Sequence, residues 1–318
     1  LRSLVGSEMC IRDSLLWKPF LLWNRNQKTN KKMKIPNKEV TLTKYTSRAE
    51  WLKGRHRSVG ASDVSTLFGL NGFTNVVELF WNKVRLTPST PHNINSISGE
   101  IMEPTIAKYF SHYDPENPTD EALVRNIDAN VKIRKIQRFK RNILMKELPL
   151  SCTLDYVSPS EKAVVECKNL LNFVVIRYED GVMPSHILQV QAQLLVTGLD
   201  VGFLSYFCDG RFYREWKIDK NESIQTRIRE EVIAFWARVE AGRAIWNDPT
   251  LTQEQKMAMI YDNGLEPEIT TAAGDTLADF MNTRAKEIAL EAKMQVDPKV
   301  QSLLTGYSEA RDLEGVHE

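Results

Sequence analysis

The chain holds four cysteines, at 10, 152, 167 and 208, and no two of them stand as Cys-x-x-Cys. No histidine sits at metal-ligand spacing from any of them, so neither a zinc site nor an iron–sulfur cluster is indicated. This sparing use of cysteine fits a reducing, cytoplasmic compartment. Long apolar runs are also missing: Leu15 to Trp23 is interrupted by Lys18 and Pro19 and falls far short of the ~20 residues that span a bilayer. No signal-peptide pattern is visible. Without a Gly-x-x-x-x-Gly-Lys phosphate loop no ATP motor is implied, and no internal repeat points to a solenoid. Charge of one sign is not in excess either, since 42 Lys and Arg stand against 41 Asp and Glu. Any nucleic-acid surface must therefore be a local patch and not a whole-molecule field.

What is present is unevenly placed. Residues 1–44 hold ten Lys and Arg against three Asp and Glu, leaving 32 basic and 38 acidic side chains beyond them. At 318 residues the chain can bury one large core or two smaller ones. The expected division is a basic, disordered leader over 1–44, a globular domain over 45–246, and a helical extension with a polar tail over 247–318. Residues 1–14 resemble a translated sequencing-adaptor stretch, and Met33 reads as a native start; an intact basic arm that binds DNA is the alternative.

From Ser47 a helix is expected behind a Ser N-cap, with Glu50 at the capping-box position. Arg55 and Arg57 then precede Val59-Gly60-Ala61-Ser62-Asp63, a glycine turn feeding a short helix. A helix N-terminus beside two arginines suits an anion, although solvated arginines beside a plain capped helix give the same pattern. Val76 to Val84 reads as an amphipathic helix. Residues 87–98 read as loop, and Gly99 opens a helix with apolar positions 102, 106, 109 and 110. Glu100 and Glu103 lie on adjacent positions of one face, where either could reach a metal or simply favour the helix dipole. Residues 111–125 read as loop. Lys132, Arg134, Lys135, Arg138, Lys140, Arg141 and Lys146 then crowd a strand-like segment whose basic face suits a phosphate backbone or plain solvation.

The stretch from Leu150 to Leu195 organises the rest. Ser151 to Val157 and Lys162 to Lys168 read as a hairpin closed by Ser158-Pro159-Ser160. Strand alternation puts Glu166 and Lys168 on one face and Cys167 on the other, and Asp155 can fall opposite them. Two carboxylates and an ammonium at one sheet edge suit a hard divalent cation, Mg²⁺ or Mn²⁺, and with it phosphodiester hydrolysis. A solvated ion pair is the plain alternative for Glu-x-Lys alone. His186 to Thr197 reads as a helix stopped by Gly198, with Gln189 and Gln193 on one face and Gln191 off it. A second hairpin turns at Asp209-Gly210, and a long helix follows from Glu222.

Taken in order, Trp51-Leu52-x-x-Arg55, Val59 to Asp63, Gly99-Glu100-x-Met102-Glu103, Thr153-Leu154-Asp155, Glu166-Cys167-Lys168 and Gln189-Val190-Gln191 resemble the restriction-endonuclease-like PD-(D/E)xK superfamily, in its lambda-exonuclease and YqaJ-type viral recombinase branch. The resemblance covers about residues 45–243. It implies an α/β fold: a three-layer core with a central mixed β-sheet flanked by helices, plus the C-terminal helical extension. It implies that Asp155, Glu166, the Cys167 carbonyl and Glu103 hold the metal, that Lys168 and Gln191 join Asp155 and Glu166 in catalysis, and that Arg55, Ser62 and Thr153 bind the 5′-phosphate of a DNA end. Leu154 departs from the family's proline. No arginine follows the Glu-Cys-Lys strand at the expected spacing, and Arg177 is the candidate substitute.

The activity so implied is Mg²⁺-dependent, ATP-independent hydrolysis of duplex DNA from its ends, 5′ to 3′, in phage-type recombination. The branch further implies a toroidal trimer and a single-strand annealing protein as partner. Two readings compete: a structure-specific or repair endonuclease on the same fold, and a non-catalytic DNA-binding derivative.

Overall fold

The computed structural model describes residues 33–86, 93–171, 175 and 181–268. Helix boundaries follow the local capping chemistry. Ser47 caps α1 (Arg48–Arg55) by accepting from the Glu50 amide at 3.2 Å, while Glu50 Oε2 turns back to the Thr46 amide and hydroxyl. A 3₁₀ turn at Ala61–Asp63 leads into the one-turn α2 (Val64–Leu67), and α3 (Val76–Arg85) opens on an Asn75–Glu78 capping box. Helix α4 (Ile94–His112) begins before Gly99 because Asn93 and Ser96 cap each other reciprocally. Its first turns expose Ile94 and Ile101, so they leave no core-facing periodicity to read in the sequence. Helix α5 (Asp120–Asp128) occupies part of the segment expected to be loop. Thr119 caps it by accepting from the Ala122 amide, and Asp120 and Glu121 favour the positive end of its dipole.

Nine strands are described. The first sheet takes β1 (Val40–Thr43), β4 (Asn142–Met145), β5 (Leu150–Thr153) and β2 (Val59–Gly60) in that order. In the second the order is β3 (Gln137–Arg138), β6 (Tyr156–Ser158), β7 (Ala163–Leu170), β8 (Val201–Cys208) and β9 (Phe212–Asp219). The central sheet thus comes in two pieces joined by two continuous chain runs, β3 into β4 and β5 into β6. The second run breaks at Leu154 and Asp155: Leu154 turns into the core, and the Asp155 carbonyl accepts from the Phe139 amide at 3.5 Å. Both sheets are mixed. Strand β2 runs parallel to β5, pairing Val59 with Leu150 and Gly60 with Ser151, and β7 runs parallel to β8 along its whole length. The crossover between β7 and β8 is α6 (Pro184–Thr197), closed by Gly198 at φ 71°, where a side chain would be strained.

Helices cover both faces. Val164 belongs to one buried cluster with Ile187, Val190 and Leu194 of α6 and Ile228 and Val232 of α7 (Glu222–Trp246), while Val165 and Cys167 belong to a second with Ile106 and Phe110 of α4. The alternation expected of β7 is therefore realised as one face toward each helical layer. At Gly202 of β8 an added Cβ would stand 2.4 Å from Val190 Cγ1, so glycine is what lets α6 lie this close to the sheet. The β8–β9 hairpin turns at Asp209 and Gly210, both at positive φ, as the Asp-Gly pair predicts. Helix α8 (Gln253–Asp262) docks through the buried Ile260.

The expected basic strand over 132–146 reduces to β3 and β4, and one of its cations is not on the surface. Arg134 is buried, donates to both Glu215 oxygens at 2.6 and 2.7 Å, and lies 3.8 Å above the Phe110 ring. It is a structural pair held inside the α4 layer through both terminal guanidinium nitrogens.

Candidate active site

The site forms where the two sheets part. The β6–β7 ladder ends at Tyr156 opposite Val165, while β7 runs on to Leu170 with β8 alone as its partner. Beyond Val165 the β6 side of β7 lacks a strand, and Asp155 fills the first vacated position: its Oδ2 accepts from the Cys167 amide at 2.9 Å. The strand break that sends β5 into the other sheet is thus what delivers a carboxylate to β7.

Glu166 and Lys168 project from β7 toward α6. Lys168 Nζ lies 2.8 Å from Glu166 Oε1 and donates to Gln189 Oε1 at 2.9 Å. Gln189 Nε2 donates to Glu166 Oε1, and Gln193 Nε2 to Glu166 Oε2, each at 2.6 Å. Both oxygens of Glu166 are therefore gripped by one helix face. Gln191, expected as the catalytic glutamine, is not brought to this cluster. Fully buried, it donates to the Asp219 carbonyl at 2.7 Å and accepts from the Asn221 amide at 3.0 Å, joining β9 to the start of α7. On a helix the i and i+4 positions share a face, and that geometry selects 189 and 193 together and excludes 191.

Glu103 reaches the same region from α4, but its Oε2 accepts from Arg138 Nη2 at 2.8 Å. Burial, then Glu166, then Glu103 push the Asp155 carboxyl well above its ordinary pKa, against the pull of Lys168 and the Cys167 amide. Burial raises Glu103 as well; Arg138 opposes this and Glu166 adds to it. Lys168 is held above the usual lysine range, because Glu166 and Asp155 outweigh the cost of its burial. The site thus carries more negative charge than its one ammonium settles, and its donors are hard carboxylate and carbonyl oxygens. Among the described residues no three His, Cys, Asp or Glu side chains are gathered closely enough to hold a metal ion by themselves. The Cys167 thiol points into the α4 layer, so only its main-chain carbonyl is available as a ligand.

The residues expected to seat a 5′-phosphate assemble beside the same strand. Parallel pairing of β2 with β5 sets the Ser62 turn next to Thr153, two positions before Asp155. Arg55 Nη2 donates to Ser62 Oγ at 3.4 Å and more closely to Asp63 Oδ1. The Arg55 guanidinium lies 5.2 Å from the Trp51 ring, whose Nε1 donates to Thr153 Oγ1 at 3.3 Å. Below this cluster two cations unmarked by any sequence motif hold the backbone. Lys83 Nζ donates to the carbonyls of Arg55 and Ser58 at 2.8 and 2.9 Å and to Asp63 Oδ2 at 3.1 Å. Arg243 Nη2 donates to the His56 carbonyl at 2.6 Å and the Lys83 carbonyl at 2.8 Å. Burial would raise Asp63, but Lys83 and Arg55 bring it down to about 2. Arg177, the candidate further phosphate contact, lies outside the described residues.

Fold and site together define an α/β protein whose two mixed sheets, flanked by helices, part at a cluster of Asp155, Glu166 and Lys168. Residues 50–200, a stretch running from α1 through α6, match the model of the YqaJ-like viral recombinase domain. The chain is 24% identical over 261 residues to the uncharacterized protein YqaJ of Bacillus subtilis (strain 168), covering 78% of this chain and 75% of that protein. Among solved structures, an alkaline exonuclease, LHK-Exo from Laribacter hongkongensis, is 18% identical, with 62% of this chain and 94% of that one covered and a TM-score of 0.45. The structure of LHK-Exo in complex with dAMP gives 19% identity, the same coverage and a TM-score of 0.47. A phage-related exonuclease from Haemophilus somnus 129PT gives 10%, 55% and 90% coverage, and 0.39. Among the described residues no helix is long and apolar enough to cross a membrane.

Proposed function

We propose that the protein is a divalent-metal-dependent DNA exonuclease of phage-type recombination, acting on duplex ends, 5′ to 3′, without ATP. The observation that carries this reading is the meeting of Asp155, Glu166 and Lys168 at the sheet break, with Arg55, Ser62 and Thr153 leading into it along one strand run. The crowding of buried carboxylates fits a hard cation, Mg²⁺ or Mn²⁺. Asp155, Glu166 and the Cys167 carbonyl would hold it, with Glu103 from α4. Bound there, it would supply Lewis acidity toward a phosphate oxygen and lower the pKa of a water. Lys168 stabilises negative charge developing on the phosphate and orients the attacking water, while Gln189 and Gln193 fix the Glu166 carboxylate. Arg55 and Ser62 bind the terminal phosphate, which places an end and not an internal bond over Asp155.

The test is digestion of end-labelled linear against closed circular duplex with Mg²⁺, using Lys168→Ala as control. Degradation of linear DNA alone is expected, with loss of at least about a hundredfold in the variant. Full activity of Lys168→Ala would end the mechanism, and cutting of circular DNA would favour the endonuclease reading. The same proposal includes a toroidal trimer, checked by light scattering, and a single-strand annealing protein as partner.

A further inference from the structure

The surface of β3 faces Glu103. Arg138 pairs in register with Tyr156, the residue after Asp155, and its guanidinium lies 5.8 Å from the Tyr156 ring. Its Nη2 reaches Glu103 Oε2 at 2.8 Å, with 45% of the Arg138 side chain exposed against 19% of Glu103. The bond therefore sits at the mouth of the site, with its cation on the solvent side. Exposed Lys135, Lys140 and Arg141 flank Arg138 along the same run. A polyanionic backbone approaching that run meets Arg138 before it meets the more buried Glu103.

We propose that Arg138 is a positioning residue that holds Glu103 away from the metal in the free protein and releases it when a DNA phosphate takes its guanidinium. The proposal rests on the nuclease reading above. Three observations carry it. Glu103 is the member of the acidic set that comes from a helix and not from the strand break, and it is the one engaged by a cation outside the β7–α6 cluster. The bond is made by one guanidinium nitrogen on the solvent side, so exchanging a carboxylate for a phosphate on Arg138 costs little, and arginine can donate to a phosphate through two nitrogens at once. Once Arg138 turns to phosphate, Glu103 is left beside Glu166 and Asp155 without its counter-charge, and a cation must supply it. Metal binding and DNA binding are then coupled, and coupling of this kind is reciprocal: each raises the affinity for the other.

The experiment measures Mn²⁺ affinity by the loss of the free-ion EPR signal. Full-length protein in a Lys168→Ala background, where the duplex is not consumed, is titrated with and without 5′-phosphorylated duplex. Four proteins are compared: Arg138 intact, Arg138→Gln, Arg138→Lys, and Arg141→Gln as a neighbouring-charge control. With Arg138 intact, DNA should tighten Mn²⁺ binding about fivefold or more. In Arg138→Gln the DNA-free affinity should already be raised by a similar factor and the gain from DNA largely lost, while Arg141→Gln keeps the gain. An equal gain from DNA in the Arg138-intact protein and in Arg138→Gln overturns the proposal, as does an equal rise in DNA-free affinity in Arg141→Gln, which makes the effect one of net charge. A retained gain in Arg138→Lys supports charge exchange on this side chain. Absence of protein-bound Mn²⁺ in every arm overturns the nuclease reading itself, an outcome distinct from a latch that fails.

Discussion

Asp155 stands in for a missing strand: its Oδ2 holds the Cys167 amide at 2.9 Å where β6 no longer pairs with β7. One oxygen is structural while the carboxylate as a whole is crowded by Glu166 and Glu103. Asp155→Asn keeps an acceptor for that amide but removes the charge. Activity should fall at least about a hundredfold. In metal-free buffer at neutral pH the melting temperature should rise by about 2–4 °C, the equivalent of roughly 1 kcal/mol at this size. The sign follows from linkage: a carboxyl whose folded pKa is raised contributes stability at low pH that is lost as the pH climbs through that value. The advantage of asparagine should therefore vanish in acid. A metal-free variant melting below the parent at pH 7 would contradict the crowding.

Gln193 and Gln191 are two positions apart and have separate roles. Gln193→Leu removes a donor from Glu166 Oε2, and activity should drop about 10–100-fold, the usual effect of releasing a ligand from its supporting bond. Gln191→Leu removes the buried side chain that bonds the Asp219 carbonyl and the Asn221 amide and should cost about 1–3 kcal/mol of stability. Its folded fraction should keep activity within a few-fold. Chemical denaturation beside initial rates separates the two, and a stable but inactive Gln191→Leu would return that residue to the chemistry.

The ion pair beneath the phosphate seat gives a pH signature away from the carboxylate cluster. Asp63 is held at about 2 by Lys83 and Arg55. A depressed carboxyl contributes stability that is complete above its unfolded value, near 3.9, and drains away as pH falls toward 2. Asp63→Asn should melt below the parent at neutral pH, by roughly 4–10 °C if about 2–3 kcal/mol is lost, and the gap should close below pH 3. A gap that stays constant from pH 7 to 3 would show that Asp63 acts by shape and not by charge.

Much of this was legible in the chain because it follows short-range rules. The Asp209-Gly210 turn, the Gly198 stop and the opposite faces of Glu166 and Cys167 need only local chemistry. The joining of Asp155 to Glu166 was legible as a hairpin, but the break at Leu154 was not: it depends on β5 being drawn to β2, which lies about ninety residues earlier. The early start of α4 escaped because its exposed isoleucines mimic no core stripe. Lys83, Arg243 and Arg134 look like solvated surface charge in sequence, and only burial against distant carbonyls and Glu215 reveals them as supports. Gln191 was selected by resemblance over the i, i+4 pair that the helix brings to Glu166.

End recognition is the part of the proposed function most exposed to one substitution. Arg55 is shared between Ser62, Asp63 and the Trp51 face. Because Lys83 also holds Asp63, Arg55 can turn toward a phosphate without leaving Asp63 buried and unpaired. Arg55→Gln should therefore fold, and its loss should fall on the substrate side. Hydrogen bonds to charged groups contribute about 1.5–3 kcal/mol, so the preference for 5′-phosphorylated over 5′-hydroxyl duplex should shrink at least about tenfold. The rate on 5′-hydroxyl ends should change by no more than about twofold, since no phosphate was there to be held. Initial rates on matched duplexes with the two end chemistries read both numbers. An equal loss on both ends would place Arg55 in the architecture of α1 and not in the seat, and an undiminished preference would move the seat to another cation.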